Sequence, residues 1–115
     1  MKKHQNLYAP SLYWNIKTKK SLNYINGCGG QGVTTLLVPD NLVGLDISAA
    51  CDIHDYMYEQ GKDKKIADRI FLKNMLSLVD EEQDSIILKS LRKIKAHIYY
   101  FGVKLFGKFF FKNKN

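Results

Sequence analysis

Three stretches of the chain repeat their apolar residues at the helical period. The first begins near Asp46 or Ser48, either of which can cap a helix, and ends at Gly61, placed as a residue just past a helix end. The second runs from about Asp63 to about Val79, with Ile66, Ile70, Met75 and Val79, joined by Phe71 and Leu72, at helical spacing. The run DEEQD at 80–84 interrupts the pattern and is expected to cap a third helix. That helix starts near Ser85 and reaches Phe101 or beyond, with an apolar stripe of Ile87, Leu91, Ile94 and Ile98. Only Gly61–Asp63 separates the first two helices, so they are expected to be antiparallel neighbours. Upstream the pattern is weaker. Leu7, Tyr8, Leu12, Tyr13, Trp14 and Ile16 suit a short helix or a loose arm, and GCGGQG at 27–32 cannot be regular structure. Pro39, Asp40, Asn41 and Gly44 mark turns before the first firm helix.

The expected fold class is therefore mainly α, as one domain over 1–115. It divides into an N-terminal arm at 1–26, a core at 27–84 and a C-terminal segment at 85–115. A chain of 115 residues, 45% hydrophobic, fits one domain with a thin core. A crosslink or a bound ion would add stability that packing alone does not supply. Two cysteines, Cys28 and Cys51, permit one disulfide, and no CxxC spacing suggests a structural zinc site.

Charge separates the segments further. The net charge is +7, yet residues 21–84 hold five basic groups against eleven acids, while 85–115 hold eight basic groups and no acid. A basic, aromatic tail implies an anionic partner, either a membrane or a nucleic acid. No nucleic-acid motif accompanies it, so specific nucleic-acid binding is not expected. No run of apolar residues is long enough to span a membrane. The start, MKKHQNLYAPSLYWNIKTKK, carries positive charge but neither the apolar run nor the small-residue site of a secretory leader.

The chemistry concentrates in CDIHDYMYEQG at 51–61. Cys51, His54, Asp55 and Tyr58 stand at i, i+3, i+4 and i+7 and so share one helix face. In a hairpin turning at Gly61, His54 lies seven residues before the turn and Asp68 seven after it, which sets them opposite each other. A carboxylate on one imidazole nitrogen fixes the tautomer and makes the other nitrogen a better base. Asp55 can bind a cation, and the glycine cluster offers the backbone oxygens that calcium prefers. One base, one metal and a glycine loop point to metal-assisted ester hydrolysis. Ligand-spaced histidines for a zinc hydrolase are absent, and Ser48 and Ser77 lack a nucleophile elbow. His4 and His97 lie outside the pattern and read as surface residues.

The same residues resemble a known family. CDIHDYMY is similar to the active-site helix of secreted phospholipase A2 enzymes, Cys-x-x-His-Asp-x-x-Tyr, and NGCGGQG precedes it as the family's calcium loop does. IADRIFLKNM resembles the second helix that presents an aspartate to the histidine. The resemblance covers roughly residues 24–79, and its short His54-to-Asp68 spacing is closest to the compact bacterial and viral members. It implies a glycine-rich calcium loop followed by two antiparallel active-site helices and a third, basic helix. It also implies calcium-dependent hydrolysis of the sn-2 ester of glycerophospholipids. In that reading His54 is the general base, Asp68 orients it, and Tyr58 hydrogen-bonds the aspartate. Asp55 and the carbonyls of Gly27, Gly29 and Gln31 hold Ca2+, and Cys28 pairs with Cys51. The substrate is a phospholipid membrane surface and the setting secreted or extracellular-facing. Three departures stand out. Gln31 replaces a glycine, Met57 and Ala67 occupy positions that often carry a second disulfide, and Val33–Pro39 departs from the usual loop ending. An apolar contact is expected in place of the second disulfide.

The tail KIKAHIYYFGVKLFGKFFFKNKN alternates aromatic rings with Lys95, Lys104, Lys108 and Lys112, as interfacial segments do. Gly102 and Gly107 are expected to weaken a continuous helix. Two other readings compete with the enzyme: a non-catalytic membrane-binding or membrane-disrupting protein on the same scaffold, and a basic nucleic-acid or protein-binding module.

Overall fold

The computed structural model describes residues 2–4, 7–19 and 41–111, and the chain is mainly α. Strands β1 (Lys2–His4) and β2 (Leu7–Ala9) pair antiparallel and lead into helix α1 (Ser11–Lys19). A second strand pair, β3 (Asn41–Leu42) and β4 (Leu45–Asp46), precedes three longer helices. These are α2 (Ser48–Gln60), α3 (Lys64–Glu81) and α4 (Ile86–Phe106), followed by a 3-10 turn at Gly107–Phe109. Helix α3 packs against α2, α4 and β2, so it organises the core.

The ends of the helices follow from their sequence. Asp46 accepts a hydrogen bond from the Ser48 amide at 2.8 Å, which secures the start of α2 although Ile47 occupies the cap position itself. Gly61 ends α2 in the left-handed conformation, at φ 65°, where a side chain would be strained. Asp63 caps α3 through the Ile66 amide, and Ser85 caps α4 through the Leu88 amide. The three-residue link makes the chain fold back, and α2 lies against α3.

Burial revises the pattern-based reading in several places. Every residue of α2 from Ala50 to Tyr58 is buried, so this helix is enclosed on all sides. Met57 and Ala67 both belong to the core. On α3 the interior face is Ala67, Asp68, Phe71, Asn74, Met75 and Val79; Ile66 points outward and lines an apolar pocket of about 270 Å³ with Leu12 and Met57. Helix α4 departs furthest. Its buried residues are Arg92, Ala96, Tyr99 and Val103, while Ile87, Leu91, Ile94 and Ile98 are all exposed. Small Ala96 and Val103 face inward, and Arg92 is satisfied there by Asp84 and by the Val43 carbonyl. Gly102 does not interrupt α4, which continues to Phe106.

The N-terminal stretch contains the expected short helix as α1, with a strand pair before it in place of a loose arm. Leu7, Ala9 and Tyr13 enter the core, and Tyr13 packs edge-on against Tyr56 of α2 with ring centroids 5.3 Å apart. Asn74, fully buried on α3, accepts from the Tyr8 amide at 2.7 Å and donates to the Tyr8 carbonyl at 2.9 Å, fastening β2 to α3. The expected turn at Gly44 is present as the bend between β3 and β4, whereas Asn41 is a strand residue.

Candidate active site

His54 projects from the middle of α2 and is fully buried. Asp68, one turn into α3, meets it: His54 Nε2 and Asp68 Oδ1 are 2.8 Å apart. Tyr58, one turn after His54, donates to the same oxygen at 2.6 Å. The three residues that the sequence grouped are thus one hydrogen-bonded unit. A fourth member was not anticipated. Lys64 donates to the other oxygen, Oδ2, at 2.7 Å, and also reaches the carbonyls of Val103 and Lys104 at 3.1 and 3.2 Å. Those carbonyls sit in the last turn of α4, where Val103 also accepts from the Gly107 amide, so one ammonium ties α3 to α4. The signal was present as a lysine four residues before an aspartate.

Protonation states follow from these contacts. Burial alone would raise the Asp68 carboxyl, but hydrogen bonds from His54, Lys64 and Tyr58 outweigh it and hold the group below its ordinary value. Asp68 is therefore a carboxylate. Burial lowers His54 despite the opposing pull of Asp68, so the imidazole is neutral. A neutral ring beside a carboxylate carries its proton on Nε2, which donates to Asp68. Nδ1 then presents a lone pair. It is buried and has no hydrogen-bond partner among the described residues. Burial first, then the bond to Asp68, raises the Tyr58 phenol, which stays a donor.

Aromatic packing fixes the ring. His54 lies between Tyr58 and Phe71, with centroids 4.2 and 4.6 Å away. Phe111 packs edge-on against Tyr58 at 5.3 Å. Gly107 leaves the space that Tyr58 occupies, since a Cβ there would fall 2.2 Å from the phenol oxygen. The C-terminal segment therefore serves two ends: Phe110 and Phe111 pack on the core, while Phe101, Phe106 and Phe109 are exposed. Nothing in the sequence marked Gly107 as a contact of the site.

The metal half of the reading is represented by one residue. Asp55 is buried on α2 beside His54 and supplies hard oxygen atoms. Gly27, Gly29 and Gln31, the other expected ligands, lie outside the described residues, as do Cys28 and the Val33–Pro39 stretch. Cys51 is buried on the same helix and takes part in a disulfide. Among the described residues no group of three or more His, Cys, Asp or Glu side chains converges to enclose a metal. A calcium site built on Asp55 therefore depends on backbone oxygens, which is the donor class the glycine segment offers. His97 is a surface residue, with Nδ1 2.8 Å from the Lys93 carbonyl.

Compared with known protein families, characterised proteins and solved structures, the chain matches none.

Proposed function

We propose that the chain is a calcium-dependent phospholipase A2-like esterase, releasing a fatty acid and a lysophospholipid from the sn-2 position of glycerophospholipids. One observation carries the reading. A neutral imidazole is held by a carboxylate on one nitrogen and presents on the other a buried lone pair with no partner among the described residues. A histidine kept only for packing would have both nitrogens satisfied, because an unpaired buried polar atom costs about 1–3 kcal/mol.

The chemistry assigned to the residues is general-base hydrolysis. His54 Nδ1 accepts a proton from water as the water oxygen bonds to the ester carbonyl carbon. Asp68 keeps Nε2 protonated and stabilises the imidazolium that forms. When the tetrahedral intermediate collapses, the ester C–O bond breaks and His54 returns the proton to the departing glycerol oxygen. Tyr58 and Lys64 hold Asp68 in register, and the rings of Tyr58 and Phe71 fix the imidazole plane. Asp55, with the carbonyls of Gly27, Gly29 and Gln31, would hold calcium, whose chemistry when bound is to polarise the ester carbonyl. The finer architecture belongs to this reading: α2 and α3 as active-site helices, the glycine segment as a calcium loop, α4 as the basic third helix.

Fatty-acid release from mixed phospholipid vesicles tests it, with calcium and with chelator. The wild type should release fatty acid only with calcium, and His54→Gln should lose at least ~100-fold in rate. Vesicle leakage without release, unchanged in His54→Gln, would move the reading to a membrane-disrupting protein. The absence of any lipid interaction would leave the basic binding module.

A further inference from the structure

Helix α4 turns its apolar side to solvent. Ile87, Leu91, Ile94, Ile98, Phe101 and Leu105 follow one another at intervals of four and three residues, which lines them up along one face. They are 49–74% exposed. Phe106 at the last position of α4 and Phe109 just past it are equally exposed. A ridge of this length on an otherwise well-packed helix marks a surface that meets something.

Charge decides what it meets. No acid lies between residues 85 and 115, and the ridge is flanked by Lys95 on one side and by His97 and Lys104 on the other. In a dimer across this ridge those flanks would face one another, like charge against like, with no acid on the helix to pair them. An anionic lipid surface supplies the opposite sign along the whole length. The lysines are placed to suit it. Lys104 Nζ lies 5.8 Å from the Phe101 ring centroid and 5.9 Å from that of Tyr100, and Lys108 Nζ lies 5.3 Å from that of Phe109, so their stems follow the ridge while the charges stay at its edge. Beside it opens a cleft of about 450 Å³ where Lys64, Lys65, Arg69, Lys104 and Lys108 converge. Among the described residues Asp68 is the one carboxylate lining that cleft, and it is already engaged by three donors. With Lys64 committed to Asp68, the charges of Lys65, Arg69, Lys104 and Lys108 make a concave basic site of the kind a phosphate headgroup fills. No helix among the described residues is long and apolar enough to cross a membrane, so α4 would lie along the surface.

We infer that the exposed ridge of α4, with its basic cleft, docks this protein onto anionic phospholipid bilayers. The inference shares its lipid with the proposed function but requires no chemistry at His54.

Vesicle co-sedimentation of the full chain in chelator tests it, using phosphatidylcholine vesicles with and without phosphatidylserine. Wild type and His54→Gln should bind the anionic vesicles alike and lose binding in high salt. The triple variant Ile94→Gln, Ile98→Gln, Leu105→Gln should partition at least ~10-fold more weakly. These positions are exposed, and far-UV circular dichroism checks the fold. A second variant, Lys95→Glu with Lys104→Glu, should weaken binding to anionic vesicles at least ~10-fold and leave the apolar ridge intact. Three outcomes overturn the inference: wild type that stays in the supernatant, substituted proteins that bind as wild type does, or a wild-type dimer that the triple substitution dissociates. Binding without fatty-acid release in calcium would leave it standing and remove the esterase reading.

Discussion

Asp68 accepts three hydrogen bonds on two oxygens, and each donor is itself fixed by something else. Tyr58 is the most constrained of the three, because its phenol occupies space that only a glycine at 107 leaves open. Gly107→Ala should therefore destabilise the protein by about 2 kcal/mol, through overpacking against the Tyr58 phenol. Tyr58→Phe should cost about 1 kcal/mol for the lost hydrogen bond. Combined, the two should cost less than their sum. Removing the phenol oxygen removes the 2.2 Å clash and leaves a nearest ring contact of 3.1 Å. Urea denaturation of the four proteins measures this, and strict additivity would show that Gly107 does not act through Tyr58. At this scale the sequence was most informative. His54, Tyr58 and Asp68 could be placed together because helix period and hairpin length are geometric rules. Lys64 could have been placed the same way. Gly107 could not, since its role depends on where α4 ends relative to α2, a tertiary fact that no local spacing encodes.

Among the elements, the long helices were legible and the short strands were not. Asp63 and Gly61 announced their caps because capping is local chemistry, whereas α4 is capped by Ser85 and not by the DEEQD run before it. Strands of two and three residues carry too little alternation to be read, so β1 to β4 passed unseen. Helix α4 was legible as a helix but not in its orientation. Its most hydrophobic stripe faces solvent, whereas Ala96 and Val103 are buried. The turn joining β3 and β4 shows a comparable override. Val43 and Gly44 both have positive φ, 49° and 83°, as a two-residue hairpin requires. A β-branched residue is strained there, and Arg92 bonds the Val43 carbonyl in compensation. Val43→Asn should relieve the strain while keeping that carbonyl, stabilising the protein by about 1 kcal/mol. A raised melting temperature would show it. An unchanged or lowered one would mean that the valine side chain contributes packing worth more than the strain.

At the scale of the whole molecule, the candidate site sits where three helices and the C-terminal turn meet. α2 brings the imidazole, α3 the carboxylate and ammonium, α4 the carbonyls that anchor the ammonium, and the turn the space for the phenol. Stability and site geometry are consequently coupled, and a ligand held by α2 must act on the whole. Calcium bound through Asp55 and backbone oxygens distant from it in sequence would bind the folded state alone, because an unfolded chain does not hold such ligands together. It should raise the melting temperature in proportion to the logarithm of its concentration above the dissociation constant, adding about 2.7 kcal/mol at a hundredfold excess. Asp55→Asn should abolish most of that response. His54→Gln, which removes the base but no ligand, should keep it. Scanning calorimetry with calcium, magnesium and chelator separates the cases without any substrate. A wild type indifferent to calcium would take the metal out of the proposal while leaving the His54–Asp68–Tyr58 unit to be explained. A response equal in wild type and Asp55→Asn would place the ion elsewhere on the acidic middle of the chain.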